Sequence, residues 1–299
     1  MNAKSLVDQY LVVRSSVMTD TTAANTRGTL NMFLGAMPPN IESIDTAEIA
    51  VFIHKLLHDK LKNPNSVRMY LARMKSFFSW CRLRGFMKHD PLEGLPKIKP
   101  AEVHKVPFTW GQYQLVLDAA AKFKGTVRRP AINWVHACTL GWHTGLRFSD
   151  CATLRWEMCD FISDVINARP KKMAHVRKEI AIPMEPLLRL HLLSLGYKES
   201  GLVDPFFCHE YHSDRPRHLD NFREICDSVG LPRHTFHSLR HSFVSRLLNS
   251  GVSAEVVSQL TGQSAAIVSR YAHISIDAKR KAMERAREPE EQPKAEVAA

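Results

Sequence analysis

The sequence is poor in cysteine, and its cysteines form no recognisable framework. Six cysteines are spread over 299 residues, and no two of them form a C-x-x-C pair. This spacing argues against a zinc ribbon, which needs closely spaced ligand pairs. A disulfide scaffold is disfavoured as well, because such chains are short and dense in cysteine. We expect reduced, buried thiols.

Long apolar stretches are also missing. No window approaches the run of about 18 apolar residues that a membrane-spanning helix requires. The first ten residues carry charges and have no apolar core, so the sequence predicts no signal peptide. There is no internal repeat. We therefore expect a cytoplasmic protein with no membrane partner.

Acidic residues are outnumbered by basic ones. Lysine and arginine total 41 against 30 aspartates and glutamates, which gives a net charge of +11. A balance of this size favours an anionic partner such as DNA or RNA. An unrelated basic enzyme is the alternative. At 299 residues the chain is long enough for two compact domains.

Residues 1–90 predict a helical domain. One helix is predicted over 45–60, with Asp45 and Glu48 as its cap. The next begins at Asn63-Pro64 and ends at Gly85. One face of this second helix is basic and has no acidic residue: Arg68, Arg73, Lys75, Arg82 and Arg84. We interpret that face as phosphate-facing, although a solvated charged face is the commoner case.

Residues 91–107 predict a linker. The segment contains four prolines, which favour an extended, semi-rigid chain. Its Lys97, Lys99 and Lys105 are candidates to follow a DNA backbone. A plain solvated linker is the alternative.

Residues 108–285 predict a second, mixed domain. Helices are expected over 109–123, with Thr109 as the cap, and over 131–143. Three short strands that form an antiparallel sheet are expected to follow. The strands are predicted at 154–162, 165–168 and 176–182. Further helices are predicted at 184–195, 218–229, 237–249, 253–261 and about 264–272. Residues 286–299 are rich in Pro, Glu and Ala and predict a flexible tail.

Four residues in this second part suit chemistry on a phosphodiester. Arg147 and Arg240 can hold a phosphate by paired hydrogen bonds. His237 can exchange a proton near neutral pH, and Tyr271 can attack phosphorus. His237 and His241 have a metal-binding spacing, but the glutamate of H-E-x-x-H is absent, so we expect no metal.

These residues lie in blocks that resemble the tyrosine recombinase (phage integrase) family. The run from His237 to Phe243 is similar to that family's H-x-L-R-H-[ST]-F block. The turn Asn249–Val252, the run Leu260–Gly262 and Arg270-Tyr271-Ala272-His273 follow at the family spacing. The resemblance covers nearly the whole chain.

The resemblance implies a mainly α protein of two domains around a DNA duplex. The first would be a helical, SAM-like core-binding domain, and the second a mixed α/β catalytic domain with a small antiparallel sheet. The implied activity is breakage and rejoining of double-stranded DNA through a 3′-phosphotyrosyl intermediate, without a cofactor. A homotetramer on two duplexes is implied, with an accessory DNA-bending or directionality factor as an additional partner.

The resemblance also implies roles for single residues. Arg147, Arg240 and Gln263 would hold the scissile phosphate, while His237 would assist proton transfer and Tyr271 would attack. Lys172 would protonate the leaving 5′-oxygen, and Lys171 is the alternative. The supporting residues would be Asp150, His241 and His273.

Gln263 departs from the family pattern. The family usually has histidine eight residues before the tyrosine, and this chain has glutamine there. A glutamine amide donates a hydrogen bond but carries no charge and moves no proton.

Several functions remain open at this point. We favour an integrase of a mobile element or phage. A chromosome-dimer resolvase of the Xer type is the alternative with the same chemistry. A DNA-binding relative that no longer recombines is the alternative from another class, and type IB topoisomerase action is a third.

Overall fold

The computed structural model describes residues 2–101, 106–126, 129–170, 179–213, 215–271 and 280. Contacts divide the chain into two units, Met1–His104 and Lys105–Ala299. The predicted fold class, mainly α with a small antiparallel sheet, is confirmed. In the described part of the chain, no helix combines the length and apolar character needed to cross a membrane.

In the residues that the structure describes, the first unit has four α-helices around one core. The capping box of Asp45 and Glu48 forms as predicted, and Asn63 caps the helix that starts with Pro64. The third helix continues as a π-helical turn, Lys55–Asp59. The four helices are α1 (Ala3–Arg14), α2 (Asp20–Leu34), α3 (Thr46–His54) and α4 (Pro64–Leu83).

The start of the predicted linker is packed rather than extended. Leu92, Leu95 and Ile98 are half-buried against the core of the first unit. Asn65 in α4 also donates a hydrogen bond to the carbonyl oxygen of Ala101 at 2.9 Å. The segment up to residue 101 therefore belongs structurally to the first unit.

The second unit consists mostly of helices. The cap predicted at Thr109 forms, as a capping box with Gln112. The helix over 205–213 was missed from the sequence. The unit contains α5 (Trp110–Lys122), α6 (Trp134–Thr144), α7 (Phe148–Ala152), α8 (Pro186–Ser194), α9 (Pro205–Ser213), α10 (Arg215–Ser228), α11 (Phe236–Asn249), α12 (Ala254–Thr261) and α13 (Ala265–Val268).

Two small sheets complete this unit. The strands β1 (Gly125–Thr126) and β2 (Arg129–Pro130) form an antiparallel pair that was not predicted. The three-stranded sheet has the order β3 (Cys159–Asp160), β4 (Val165–Ala168), β5 (Ile180–Pro183), and both pairings are antiparallel.

The predicted strand over 154–162 is wrong for most of its length. Only its last part contributes to β3, because Trp156–Met158 forms a short 3-10 helix. The segment 154–156 pairs instead with a distant loop: the amide of Trp156 donates to Gly201 and the amide of Val203 donates to Leu154. Burial alternates along this segment as it does in a strand. Its pairing partner, however, lies about 45 residues away in the chain, so a pattern in neighbouring residues does not reveal it.

Helices α6 and α11 cross closely at the centre of the second unit. Gly141 permits this approach, because a Cβ atom there would lie 2.9 Å from Cδ1 of Leu239. Both helices contribute to the main core of the unit. Their close packing brings the end of α6 to the middle of α11, where the candidate site lies.

Candidate active site

The turn after α6 presents Arg147. Gly145 ends the helix in the left-handed conformation, with φ +64°. A Cβ atom at Gly145 would lie 2.5 Å from Cδ1 of Phe243, so the turn requires glycine for both conformation and space. Arg147 occupies the N-cap position of α7, without a capping hydrogen bond from its side chain, and 26% of that side chain is exposed. Its Nη1 lies 3.7 Å from Oδ2 of buried Asp150 and makes no hydrogen bond to the described residues.

Arg240 lies beneath this turn and is almost completely buried, with 1% exposure. Its Nη1 donates to the carbonyl oxygen of Gly145 at 2.6 Å, and its Nη2 donates to that of Thr261 at 2.7 Å. The guanidinium therefore connects the end of α6 to the end of α12. Two groups accept from it, and Nε has no hydrogen-bond partner among the described residues.

The charges around Arg240 partly balance. Burial and then the positive charge of Arg147 lower the pKa of the Arg240 guanidinium to about 10, while Tyr271 and Asp150 raise that pKa. The group is still charged at neutral pH. Arg240 thus lies in the electrostatic field of three other candidate residues, Arg147, Asp150 and Tyr271.

Three aromatic rings form a series from the first turn of α11 to the tyrosine. The exposed ring of His237 lies 4.5 Å from that of His241, centroid to centroid, with the planes at 76°. The buried ring of His241 lies 4.9 Å from that of Tyr271. Tyr271 is half-buried at the end of a 3-10 turn, Ser269–Tyr271, and packs against a small core formed by α11, α12 and α13.

Gln263 follows a second left-handed glycine. Gly262 ends α12 with φ +63°, immediately after the Thr261 carbonyl that Arg240 binds. The carbonyl oxygen of Gln263 accepts from Oγ of Ser258 at 2.5 Å. Its side-chain Oε1 is buried and has no hydrogen-bond partner among the described residues.

A cleft of about 430 Å³ opens beside these groups. It brings Arg147 and His237 together and adds Arg223 of α10, which the sequence did not single out. Arg223 is ion-paired with Asp220 at 2.7 Å and largely exposed, so in the sequence it looks like an ordinary solvated pair. The lining residues are Arg147, Phe148, Ser149, Leu219, Arg223, Thr235, Phe236 and His237.

The predicted cations of the first unit differ in their surroundings. Arg68, Lys75 and Lys97 line one groove of about 290 Å³ between α4 and the segment 92–98. Arg73 instead donates to Oγ1 of Thr29 at 2.7 Å, and Arg82 lies 3.7 Å from Asp90. Lys99 is exposed.

Some predicted site residues lie outside the described residues: Lys105, Lys171, Lys172 and His273. The described residues contain no group of three or more His, Cys, Asp or Glu side chains that could hold a metal ion. All six cysteines are free, and five are buried.

The fold is shared with solved integrases. The Tn1549 transposon integrase, solved in complex with circular intermediate DNA, aligns at a TM-score of 0.69 and 17% identity over 95% of this chain and 99% of that one. Lambda integrase, solved as a tetramer bound to a Holliday junction, aligns at a TM-score of 0.67 and 19% identity over 91% and 77%.

Sequence comparison identifies the family. A sequence model of the phage integrase family matches residues 109–277, and the chain belongs to that family. Tyrosine recombinase XerC of Oceanobacillus iheyensis is 24% identical over 259 residues, which cover 81% of each protein. The protein is a tyrosine site-specific recombinase.

Proposed function

We propose that this recombinase breaks and rejoins DNA strands through a covalent phosphotyrosine at Tyr271. The observation that carries the proposal is geometric: Arg240 donates to the carbonyl oxygen of Gly145 in the turn that presents Arg147, and His237 shares a cleft with Arg147. The ring of Tyr271 lies 4.9 Å from that of His241, which neighbours His237. Two cations beside a tyrosine can stabilise the negative charge that a phosphodiester gains when the tyrosine attacks it.

The guanidinium groups are the proposed phosphate ligands. The side chain of Arg147 is 26% exposed, and its Nη1 makes no hydrogen bond to the described residues. We propose that this guanidinium supplies the paired contact to the non-bridging oxygens. Arg240 uses two of its five N–H groups to donate to backbone carbonyls. We propose that its other N–H groups, including that of Nε, donate to the phosphate. Asp150 limits the repulsion between the two cations.

The reaction is a transesterification. The phenol oxygen of Tyr271 attacks phosphorus, the bond to the 5′-oxygen breaks, and a 3′-phosphotyrosyl link forms. The phenol proton leaves towards the histidines, His237 or His241, and the 5′-oxygen gains a proton from Lys172, with Lys171 as the alternative. Rejoining is the reverse step with a new 5′-hydroxyl. The phosphotyrosine keeps the bond energy, so no nucleotide is hydrolysed.

Gln263 is the proposed third phosphate ligand. Its amide is poised beside the Thr261–Gly262 turn that Arg240 holds, and its buried Oε1 lacks a partner among the described residues. Oxygen and nitrogen of an amide are assigned from hydrogen bonds, so rotation by half a turn would present Nε2 as a donor. His273 is proposed to support the site from beside Tyr271 in the sequence.

Arg223 is a proposed contact to a phosphate next to the scissile one. It lines the cleft together with Arg147, and its exposed ion pair with Asp220 is weak enough to exchange for a phosphate. Replacing single phosphates by neutral methylphosphonates would test this assignment. Arg223→Gln should remove the sensitivity at one neighbouring position and leave the scissile position unchanged.

Double-stranded DNA is the proposed substrate, and the first unit supplies further contacts. Its groove carries three cations, Arg68, Lys75 and Lys97, within a chain of net charge +11. Lys99, Lys105, Arg73 and Arg82 are proposed to add weaker contacts. The lambda integrase tetramer on a Holliday junction supports a homotetramer on two duplexes. We expect the complex at the nucleoid in the cytoplasm. An accessory DNA-bending or directionality factor is proposed as an additional partner.

The biological role is proposed as integration of a mobile element. The structural alignment with the transposon integrase extends over 95% of this chain and supports this role. The similarity to XerC supports a chromosome-dimer resolvase as the second candidate. The two differ in their target, because a resolvase acts on one chromosomal site and an integrase joins two different sites. Recombination assays with both kinds of substrate separate them.

The test begins with selection of bound fragments from random DNA. A selected duplex carrying a nick near the cleavage point should trap a covalent adduct with the protein in EDTA. Binding without an adduct would mean a relative that no longer recombines. Relaxation of supercoiled DNA without two specific sites would instead indicate type IB topoisomerase action.

A further inference from the structure

Two arginines of α11 hold the last turn of α6. The carbonyl groups at a helix end lack partners within the helix. Arg240 binds that of Gly145 at 2.6 Å, and Arg246, less than two turns further along α11, donates through Nη2 to that of Trp142 at 3.0 Å. The amide that would normally reach Trp142, that of Leu146, is bonded to Oγ1 of Thr144 instead at 3.1 Å.

Arg246 is held in a defined position by its other contacts. Its guanidinium carbon lies 4.1 Å from the ring centroid of Trp142, a cation–π contact. The fully buried Trp142 ring also stacks on Tyr113, with centroids 4.2 Å apart and planes at 8°. Glu185 provides the neighbouring negative charge, and one of its oxygens lies 2.7 Å from Nδ1 of His143.

Stability alone is a poor explanation for this charge. Burial lowers the pKa of the Arg246 guanidinium, which means that its charged form is partly desolvated there. Apolar side chains commonly replace buried ion pairs without loss of stability. What an apolar side chain cannot supply is a donor to the carbonyl group of Trp142.

We infer that Arg246 is a positioning residue for Arg147. The inference rests on the proposed function, in which Arg147 grips the scissile phosphate. Arg147 lies five residues after Trp142, and the one ion pair that its side chain makes within the described part of the chain is long, at 3.7 Å from Asp150. The placement of its guanidinium therefore depends on the backbone between Trp142 and Gly145. Misplacing a reacting group by about 1 Å can cost about 10²-fold in rate.

The test compares Arg246→Met with a matched control. Methionine keeps an unbranched apolar stem and removes both the hydrogen-bond donor and the charge. Arg189→Met is the control, because Arg189 also lies over an aromatic ring, 5.8 Å from that of Phe161, with Nη2 3.5 Å from the Phe161 carbonyl oxygen. Arg189 additionally pairs with Asp164 at 2.7 Å, so its loss tests the removal of an arginine with more contacts, far from Arg147 in the sequence. Arg246→Met should slow single-turnover cleavage of nicked DNA by roughly 10²-fold at unchanged DNA affinity, whereas Arg189→Met should stay within about twofold.

Two further variants separate positioning from a general loss of folding. Arg246→Lys keeps a donor and should recover most of the rate. In an Arg147→Lys background, Arg246→Met should cost less than about threefold, because a residue that acts through Arg147 has nothing left to position. Equal losses in both backgrounds, or a rate loss that follows only the unfolded fraction in urea, would overturn the inference.

One readout does not require cleavage. The Nε–H NMR signal of the Arg147 guanidinium should move in Arg246→Met and stay in place in Arg189→Met. An unmoved signal would contradict the positioning role even if the wild-type protein cleaves DNA. A wild-type protein that forms no adduct, with a moved signal, would contradict the proposed function alone.

Discussion

Arg240 donates through Nη1 to the carbonyl oxygen of Gly145 at 2.6 Å, although the two residues are 95 positions apart in the chain. This bond joins the proposed phosphate ligand of α11 to the turn that carries Arg147. Together with the bond to Thr261, it makes Arg240 both a candidate ligand and the connection between two glycine turns. The two arginines of the site should therefore respond differently to substitution.

Arg147→Lys should abolish most cleavage and leave stability nearly unchanged. Lysine keeps the charge but lacks the planar fork that grips two phosphate oxygens. Arg240→Lys should reduce cleavage and also lower the free energy of unfolding by about 1.5–3 kcal/mol, the usual contribution of a hydrogen bond to a charged group. Urea unfolding and adduct formation on a nicked duplex measure the two effects. Equal stability of both variants would show that the carbonyl contacts of Arg240 contribute little.

Gly145→Ala should destabilise the second unit. The left-handed backbone costs a non-glycine residue about 1 kcal/mol, and the new Cβ, 2.5 Å from Phe243, adds roughly 1–3 kcal/mol of overpacking. Combining Gly145→Ala with Phe243→Leu should give a smaller loss than the sum of the single losses, because the smaller side chain makes room. Gly196→Ala is the control for backbone conformation alone, since Gly196 also has a positive φ and no atom within 4 Å of its Cβ position. A loss equal to that of the control would remove the steric part of the argument.

His136 should make stability depend on pH. The residue is fully buried, and burial followed by the charge of His191 lowers its pKa to about 3, against about 6.5 in an unfolded chain. The unfolded state therefore takes up the proton first, so this stability is complete above pH 6.5 and is lost as the pH falls towards 3. Between about pH 7.5 and pH 5 the loss should be about 2 kcal/mol.

Urea unfolding of His136→Gln at the two pH values checks this expectation. The variant should lose less stability on acidification than the wild-type protein does. His209→Gln, at an exposed histidine, should behave like the wild-type protein. The same pH response in all three proteins would contradict the role of His136.

Gln263→Ala should slow cleavage by about 10²–10³, the usual effect of losing one donor to a developing oxyanion. Stability should hardly change, because the buried Oε1 makes no hydrogen bond to the described residues. Gln263→His should match or exceed the starting rate, since a charged imidazole stabilises the phosphorane better than an amide does. Single-turnover cleavage of a nicked substrate decides the matter, and equal rates for all three proteins would exclude Gln263 from the site.

Local signals in the sequence predicted much of the helical framework. Caps at Asp45, Asn63 and Thr109 are chemical features of a few adjacent residues, and they form as expected. The segment 154–162 was predicted wrongly because its pairing partner, Gly201–Val203, is remote in the chain. The buried residues Leu154 and Trp156 make backbone hydrogen bonds to that loop and not within a strand ladder.

The sequence predicted which residues form the candidate site, but not the contacts that hold those residues in place. Resemblance to the family drew attention to Arg147, His237, Arg240 and Tyr271. No sequence pattern indicates that Arg240 binds two carbonyl groups or that Arg246 lies over Trp142, because such contacts depend on how α6 and α11 cross. Arg223 was missed for the same reason.

The central claim is that Tyr271 becomes covalently linked to DNA. The covalent adduct on a nicked duplex should be digested with trypsin and nuclease, and the peptide that retains a nucleotide should be identified by mass spectrometry. The chain has six tyrosines, and trypsin places Tyr271 in a peptide of its own, residues 271–279. We expect the nucleotide on that peptide, joined through a 3′-phosphate, and no adduct from Tyr271→Phe. A nucleotide on a peptide containing another tyrosine, or an adduct that persists in Tyr271→Phe, would contradict it.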